Sequence, residues 1–198
     1  MESFIQTLTD QLLSQQGIEI TAVIFGLISV LLARNENIWL FPTGLISVSI
    51  YVYICYNATL YADMGVNVYY VLTTLYGWYF WGQTKSDYVP VTRLNRVEWR
   101  MGISFFILSL ISIWWILNHY TNSDVPLFDA TTTAIFIVAM WWMARKKYEH
   151  WMAWIAGNLL SIPLYLYKGL YFTAFQYLVF TIIAISGLMY WKKLIHKE

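Results

Sequence analysis

Apolar stretches alternate with short polar connections seven times along the chain, at about 18–33, 38–57, 64–82, 99–118, 127–144, 151–167 and 169–191. Each approaches the roughly 20 mostly apolar residues that a helix needs to cross a bilayer. The pattern predicts an all-α membrane protein with seven transmembrane helices. Residues 1–17 read differently. There Phe4, Ile5, Leu8, Leu12 and Leu13 recur at helical spacing among polar neighbours. They predict a short amphipathic helix on the membrane surface, with a frayed terminus as the alternative. Glu2 and Asp10, with no Lys or Arg in that segment, speak against a cleavable signal peptide.

Charge fixes the direction of threading. With seven alternating spans and the N-terminus outside, the inner side holds Arg34, Lys85, Arg93, Arg96, Arg100, Arg145, Lys146, Lys147, Lys192, Lys193 and Lys197, and the outer side holds Lys168. Six or eight spans would destroy this asymmetry, so the excess of inner positive charge supports both the span count and a cytoplasmic C-terminus. The 12% of charged residues leave no room for a separate soluble domain. Cys55 is the single cysteine, and His119, His150 and His196 are scattered, which excludes an intrachain disulfide and a Cys-x-x-Cys metal site.

The first and last thirds match when offset by 110 residues. Leu60-Tyr61 pairs with Leu170-Tyr171, Gly77 with Gly187, Phe80 with Tyr190, and Trp81 with Trp191. The expected organisation is an N-terminal helix (1–17), a three-helix repeat (18–82), a linker helix (99–118) and a second repeat (127–191). The linker helix reverses the chain once more. The two repeats of this 3+1+3 arrangement then run parallel, related by an axis along the membrane normal.

Polar groups at membrane depth have to face other helices or a wet cavity. The sixth span carries Trp151, Trp154, Asn158, Ser161 and Tyr165 at spacings of three and four, which places them on one helix face. Gln176 adds an amide from the seventh span. The third span presents Asn67, Tyr70, Thr74, Gly77 or Trp78, and Trp81, and the second presents Gly44, Ser47 and Tyr51. Amides donate and accept, and aromatic faces stack on flat rings or hold a cation. A cavity so lined suits a planar, hydrogen-bonding solute. The plainer reading is that Trp anchors helices at the interface and that Asn and Gln bridge helices, worth ~0.6–2 kcal/mol. Pro42 and Pro163 are expected to bend the second and sixth helices.

No Asp, Glu, Lys or Arg lies deep in a span; Glu19, Asp63 and Asp129 fall near outer ends. Proton coupling through a midplane carboxylate is therefore excluded. The chain has no GxxxxGK[ST] phosphate loop with which to use ATP. No catalytic constellation, cofactor or metal site is expected, and no nucleic-acid partner. Facilitated diffusion is the simplest mechanism, with sodium coupling through neutral oxygens still open. A second reading is the substrate-binding subunit of an ATP-driven importer, docking through Ala22-x-x-x-Gly26.

The run Tyr61-Ala-Asp-Met-Gly-Val-Asn-Val-Tyr-Tyr70, then Tyr76-Gly-Trp-Tyr-Phe-Trp81, resembles the third span of PnuC-type bacterial vitamin transporters. So does Trp151-x-x-Trp154-x-x-x-Asn158, continuing into Tyr165-x-x-Lys168-Gly169-Leu170. The resemblance covers nearly the whole chain. It implies a fold related to SWEET sugar transporters and residence in the bacterial inner membrane. It also implies uptake of a B-vitamin precursor down its gradient, with intracellular phosphorylation trapping the solute and a trimer as the family's assembly. By motif match, Trp151, Trp154, Asn158 and Gln176 become candidate substrate contacts, beside Asn67, Tyr70 and Tyr51 from the residue reading. The sequence favours thiamine narrowly, with nicotinamide riboside as the alternative.

Overall fold

Each apolar stretch of the sequence becomes a helix. The computed structural model of the chain describes residues 15–83, 89–169 and 171–195. The amphipathic helix expected over 1–17 falls almost wholly outside them. The seven helices are α1 (Gln15–Arg34), α2 (Leu40–Asn57), α3 (Tyr61–Gly82), α4 (Arg96–Tyr120), α5 (Pro126–Ala144), α6 (His150–Tyr167) and α7 (Tyr171–Ile195). Five of them, α1, α2, α4, α5 and α7, are long and apolar enough to cross a membrane by length and composition. The remaining two, α3 and α6, carry the polar rows, which lower their mean hydropathy.

Packing order follows from the contacts. Helix α1 packs on α2, α2 on α3, α3 on α5, α5 on α6, α6 on α7, and α7 back on α1. These six helices close a ring. Helix α4 lies outside it and packs chiefly on α5. Of the α4 span 6% is buried inside the protein, against 56% for α5. Ile103, Ile107, Leu108 and Ile111 on α4 are all exposed, as a lipid-facing surface requires. A capping box starts α4: the Glu98 amide donates to the Asn95 side chain (2.9 Å) and the Asn95 amide to Glu98 (2.9 Å), satisfying two of the helix's open donors.

The 110-residue offset recurs in the backbone. The turn after α1 places Glu36 at φ 59°, and the turn after α5 places Lys146 at φ 57°. In each turn that residue's amide donates back three residues, Glu36 to Ala33 (3.1 Å) and Lys146 to Met143 (2.9 Å). At the other ends of α2 and α6, Thr59 and Gly169 are left-handed too, at φ 58° and 71°. Both of the latter hold the αL residue that commonly closes a helix.

The offset governs side chains as well. A Cβ on Gly77 would stand 2.5 Å from the Phe41 ring, and one on Gly187 would stand 2.6 Å from the Trp151 ring. Phe41 and Trp151 are themselves 110 residues apart. Trp81 donates its indole N–H to the Ala144 carbonyl (3.2 Å), and Trp191 donates to Ala33 (3.1 Å). Each tryptophan therefore adds an indole donor to a carbonyl at the C-terminal end of α5 or α1.

Two sequence expectations are corrected. Pro42 does not bend α2: it lies in the first helical turn, just after Leu40, where a backbone N–H has no intrahelical partner to lose. Pro163 is inside α6 and does interrupt its ladder. The Ala22-x-x-x-Gly26 face is not available for docking. Ala22 is fully buried and its carbonyl accepts from Ser47 Oγ at 2.8 Å, while Gly26 faces the same serine. These small residues seat α1 on α2.

Candidate functional site

Asn158 sits midway along α6, buried at 3% exposure. Among the described residues its amide has no hydrogen-bond partner, but it is not one of the fully enclosed unsatisfied groups. One turn further, Ser161 is 1% exposed, and on α3 Thr74 is 2% exposed; among the described residues neither hydroxyl has a hydrogen-bond partner. Desolvating such a group without a hydrogen bond costs about 1–3 kcal/mol. Ser161 and Thr74 are in that condition, which fits a place where a solute supplies the missing partners. Gln176 on α7 is half-buried and also untied.

Aromatic rings build one wall. Trp154 stacks on Phe136 of α5 (5.3 Å between centroids, 29°), Phe136 on Tyr177 of α7 (5.9 Å, 9°), and Tyr177 on Tyr165 (5.1 Å, 15°). Gly157 makes room for the stack, because a Cβ there would stand 2.3 Å from the Phe136 ring. The Tyr165 and Tyr177 rings bring their phenols together, and the phenols of Tyr51 on α2 and Tyr70 on α3 lie close enough to Tyr177 to interact electrostatically. Four helices thus converge on one cluster of phenols beside the Asn158 row.

Phe136 and Tyr177 do not stand out in the sequence. An aromatic residue in an apolar helix reads equally as lipid-facing; a usable signal is that Tyr177 adjoins Gln176 and that a glycine, Gly157, faces Phe136.

Trp151 takes a different place from the other predicted contacts. It lies about 10 Å from Asn158 along α6, by helical rise, and is 1% exposed. There it packs against His150 (4.4 Å) and Trp191 (5.9 Å), while Trp191 meets Trp81 (6.1 Å) and Trp81 meets Phe41 (5.1 Å). These rings plug the end of the ring of helices that carries the basic turns. Among the described residues the Trp151 indole N–H has no partner. Asn67 donates to the Asp63 carbonyl (2.9 Å) and approaches the Cys55 sulfur (3.9 Å), so its N–H groups join α2 to α3. Gly44 and Ser47 face α1 rather than the interior, through Ser29 and Ala22. Two surface clefts, one lined by Ile38, Leu75, Trp78 and Tyr79, the other by Val125, Leu127, Phe128 and Leu160, include none of the residues of this site.

The ends of the bundle differ in charge. Across the basic end runs the segment before α4: the Tyr148 amide donates to Thr92 (2.9 Å), the Leu94 amide to the Glu149 carboxylate (3.0 Å), and Glu98 pairs with Lys147 (2.8 Å). At the opposite end Lys168 pairs with Asp129 (2.6 Å), which also accepts from the Ser123 hydroxyl (2.7 Å).

Known proteins are similar to this chain in sequence and fold. The nicotinamide riboside transporter PnuC of Escherichia coli (strain K12) is 25% identical over 202 residues, covering 88% of this chain and 84% of that protein. The riboflavin/roseoflavin transporter RibM of Streptomyces davaonensis is also 25% identical, over 85% of this chain and 81% of its own. A crystal structure of the vitamin B3 transporter PnuC superposes with a TM-score of 0.73 at 24% identity, covering 98% of this chain and 88% of that one. None of these relatives is named for thiamine, so the narrow preference for that vitamin has no support and nicotinamide riboside fits them better. The profile of the nicotinamide mononucleotide transporter family matches residues 16–193. A helix ring with an uncharged, aromatic interior and a family match over nearly its whole length lead to one conclusion: this chain belongs to the nicotinamide mononucleotide transporter family of membrane transporters.

Proposed function

We propose that the protein carries nicotinamide riboside, a flat cationic nucleoside, into the cytoplasm by facilitated diffusion. The carrying observation is the buried Asn158 amide on α6, the helix whose Trp154 and Tyr165 join the stacked aromatic rings and whose Ser161 hydroxyl, like that of Thr74 on α3, has no partner among the described residues. Those groups match a solute with a planar ring, an amide and several hydroxyls. Trp154, Asn158, Gln176, Tyr70 and Tyr51 are its proposed contacts, joined by Tyr165 and Tyr177. Trp151 closes the site from the basic end, and Asn67 holds α2 and α3 together beside it. No lysine or arginine stands in the polar rows, so a phosphorylated solute lacks a counter-charge there. Phosphorylation after arrival is then a one-way trap.

The 3+1+3 arrangement is part of this reading. The ring formed by α1–α3 and α5–α7, the outlying α4 and the repeated turns support it. So is an N-out, C-in orientation in the inner membrane, supported by the basic end.

The RibM relative makes a flavin the second candidate. Calorimetric titration of the purified protein with nicotinamide riboside, thiamine and riboflavin side by side separates the readings. Nicotinamide riboside is expected to bind at least ~10-fold more tightly than either of the others, a difference of about 1.4 kcal/mol. Tighter binding of thiamine or riboflavin overturns the assignment.

A further inference from the structure

Two positions related by the 110-residue offset carry opposite charges and meet. Glu36 follows α1 and Lys146 follows α5, and their side chains form an ion pair at 8% and 5% exposure. Lys146 also lies 4.6 Å from the centroid of the Trp81 ring and donates to the Val89 carbonyl. Directly beneath is the plug of Phe41, Trp81, Trp151 and Trp191. The left-handed backbone at both positions disfavours any residue with a Cβ. Glycine or asparagine would suit the turns better, so the side chains are what these positions hold in place. The counterpart turns at the other end, Thr59 and Gly169, have the same backbone, are exposed and carry no charge.

We propose that the Glu36–Lys146 pair is the latch of the cytoplasmic mouth. It rests on the carrier reading above. For a solute to leave on the basic side, the turn after α1 and the turn after α5 have to part, because they close that end from opposite sides of the ring. When they separate, Lys146 keeps Trp81 and the Val89 carbonyl but parts from the Glu36 carboxylate. A buried pair is costly to break by removal of one partner, so it biases the protein towards the state closed inside. The latch sets the ratio of inward-open to inward-closed molecules, and the solute binding energy works against it.

Thiol accessibility tests this. Leu40 is 1% exposed beside the plug. A thiol introduced there by Leu40→Cys, on a Cys55→Ser background, is labelled with a membrane-impermeant maleimide in inside-out vesicles. Glu36→Gln and Lys146→Met are each expected to speed labelling about tenfold, within the usual range of conformational coupling. The double variant should go no faster than the quicker single, since one latch opens once. Unchanged rates in variants that purify as monodisperse protein overturn the proposal, and so do effects that multiply. If the neutral variants do not fold, Glu36→Cys with Lys146→Cys bridged by a short bis-methanethiosulfonate serves instead. Bridging is expected to stop uptake and reductant to restore it; normal uptake by bridged protein overturns the latch. Uptake by the unsubstituted protein in the same liposomes tests the carrier reading separately, because labelling needs no transport.

Discussion

An amide in a low-dielectric interior is unfavourable unless it is hydrogen-bonded, and Asn158, midway along α6 and 3% exposed, has no hydrogen bond among the described residues. Leucine at the same place would be better solvated by its surroundings. Asn158→Leu is therefore expected to raise the thermal midpoint slightly, or leave it unchanged, while weakening nicotinamide riboside binding roughly 100-fold, about 3 kcal/mol for two lost hydrogen bonds and the solute groups left unpaired. Thermal unfolding and calorimetry on one preparation read both effects. Normal binding by Asn158→Leu would make the amide mere helix glue. The residue scale also shows where the sequence was readable. Asn158 and Gln176 were visible because an amide within an apolar stretch needs a reason. Trp151 was harder to place, since its spacing puts it on the Asn158 face and its height alone decides between site and plug. Glu36 drew no notice and Lys146 counted only as one of the inner basic residues, because nothing local reveals that two turns 110 residues apart touch.

Among the elements, α4 has the most distinct role. It stands outside the ring of six, and its contact with α5 is close at Gly102, where a Cβ would stand 2.4 Å from the Trp142 ring. Trp99 adds an edge-on contact with the same tryptophan at 5.2 Å. Forcing a larger side chain into such packing costs about 1–3 kcal/mol. Gly102→Val should lower stability by that amount in denaturant unfolding yet leave the dissociation constant within about twofold, if α4 serves as a linker and not a wall of the site. A large loss of affinity would assign α4 a part in binding. Element boundaries explain the Pro42 error: the sequence put the second span's start at residue 38, but α2 begins at Leu40, and a proline in a first turn has no ladder bond to break. The Phe136 and Tyr177 stack stayed hidden for another reason. Periodicity assigns faces to single helices, but which faces meet is decided by the ring's closure.

At the scale of the whole molecule, one offset orders the turns, the tryptophan caps and the glycine contacts, and it was legible in five matched residues of the sequence. The site itself departs from that symmetry. Asn158 corresponds to Val48 and Tyr177 to Asn67, so in the proposed site the second half supplies most of the groups while the first supplies Tyr51, Tyr70 and Thr74. Such division is what a small asymmetric solute demands of a pseudo-symmetric frame. The central claim is that this frame equilibrates an unphosphorylated nucleoside and does nothing more. Its most direct test is uptake of labelled nicotinamide riboside into liposomes holding the purified protein, with no nucleotide triphosphate and no ion gradient. The account predicts saturable entry that levels off at equal concentrations inside and out, and that Asn158→Leu abolishes. Accumulation above the external concentration, or no entry at all, would contradict it.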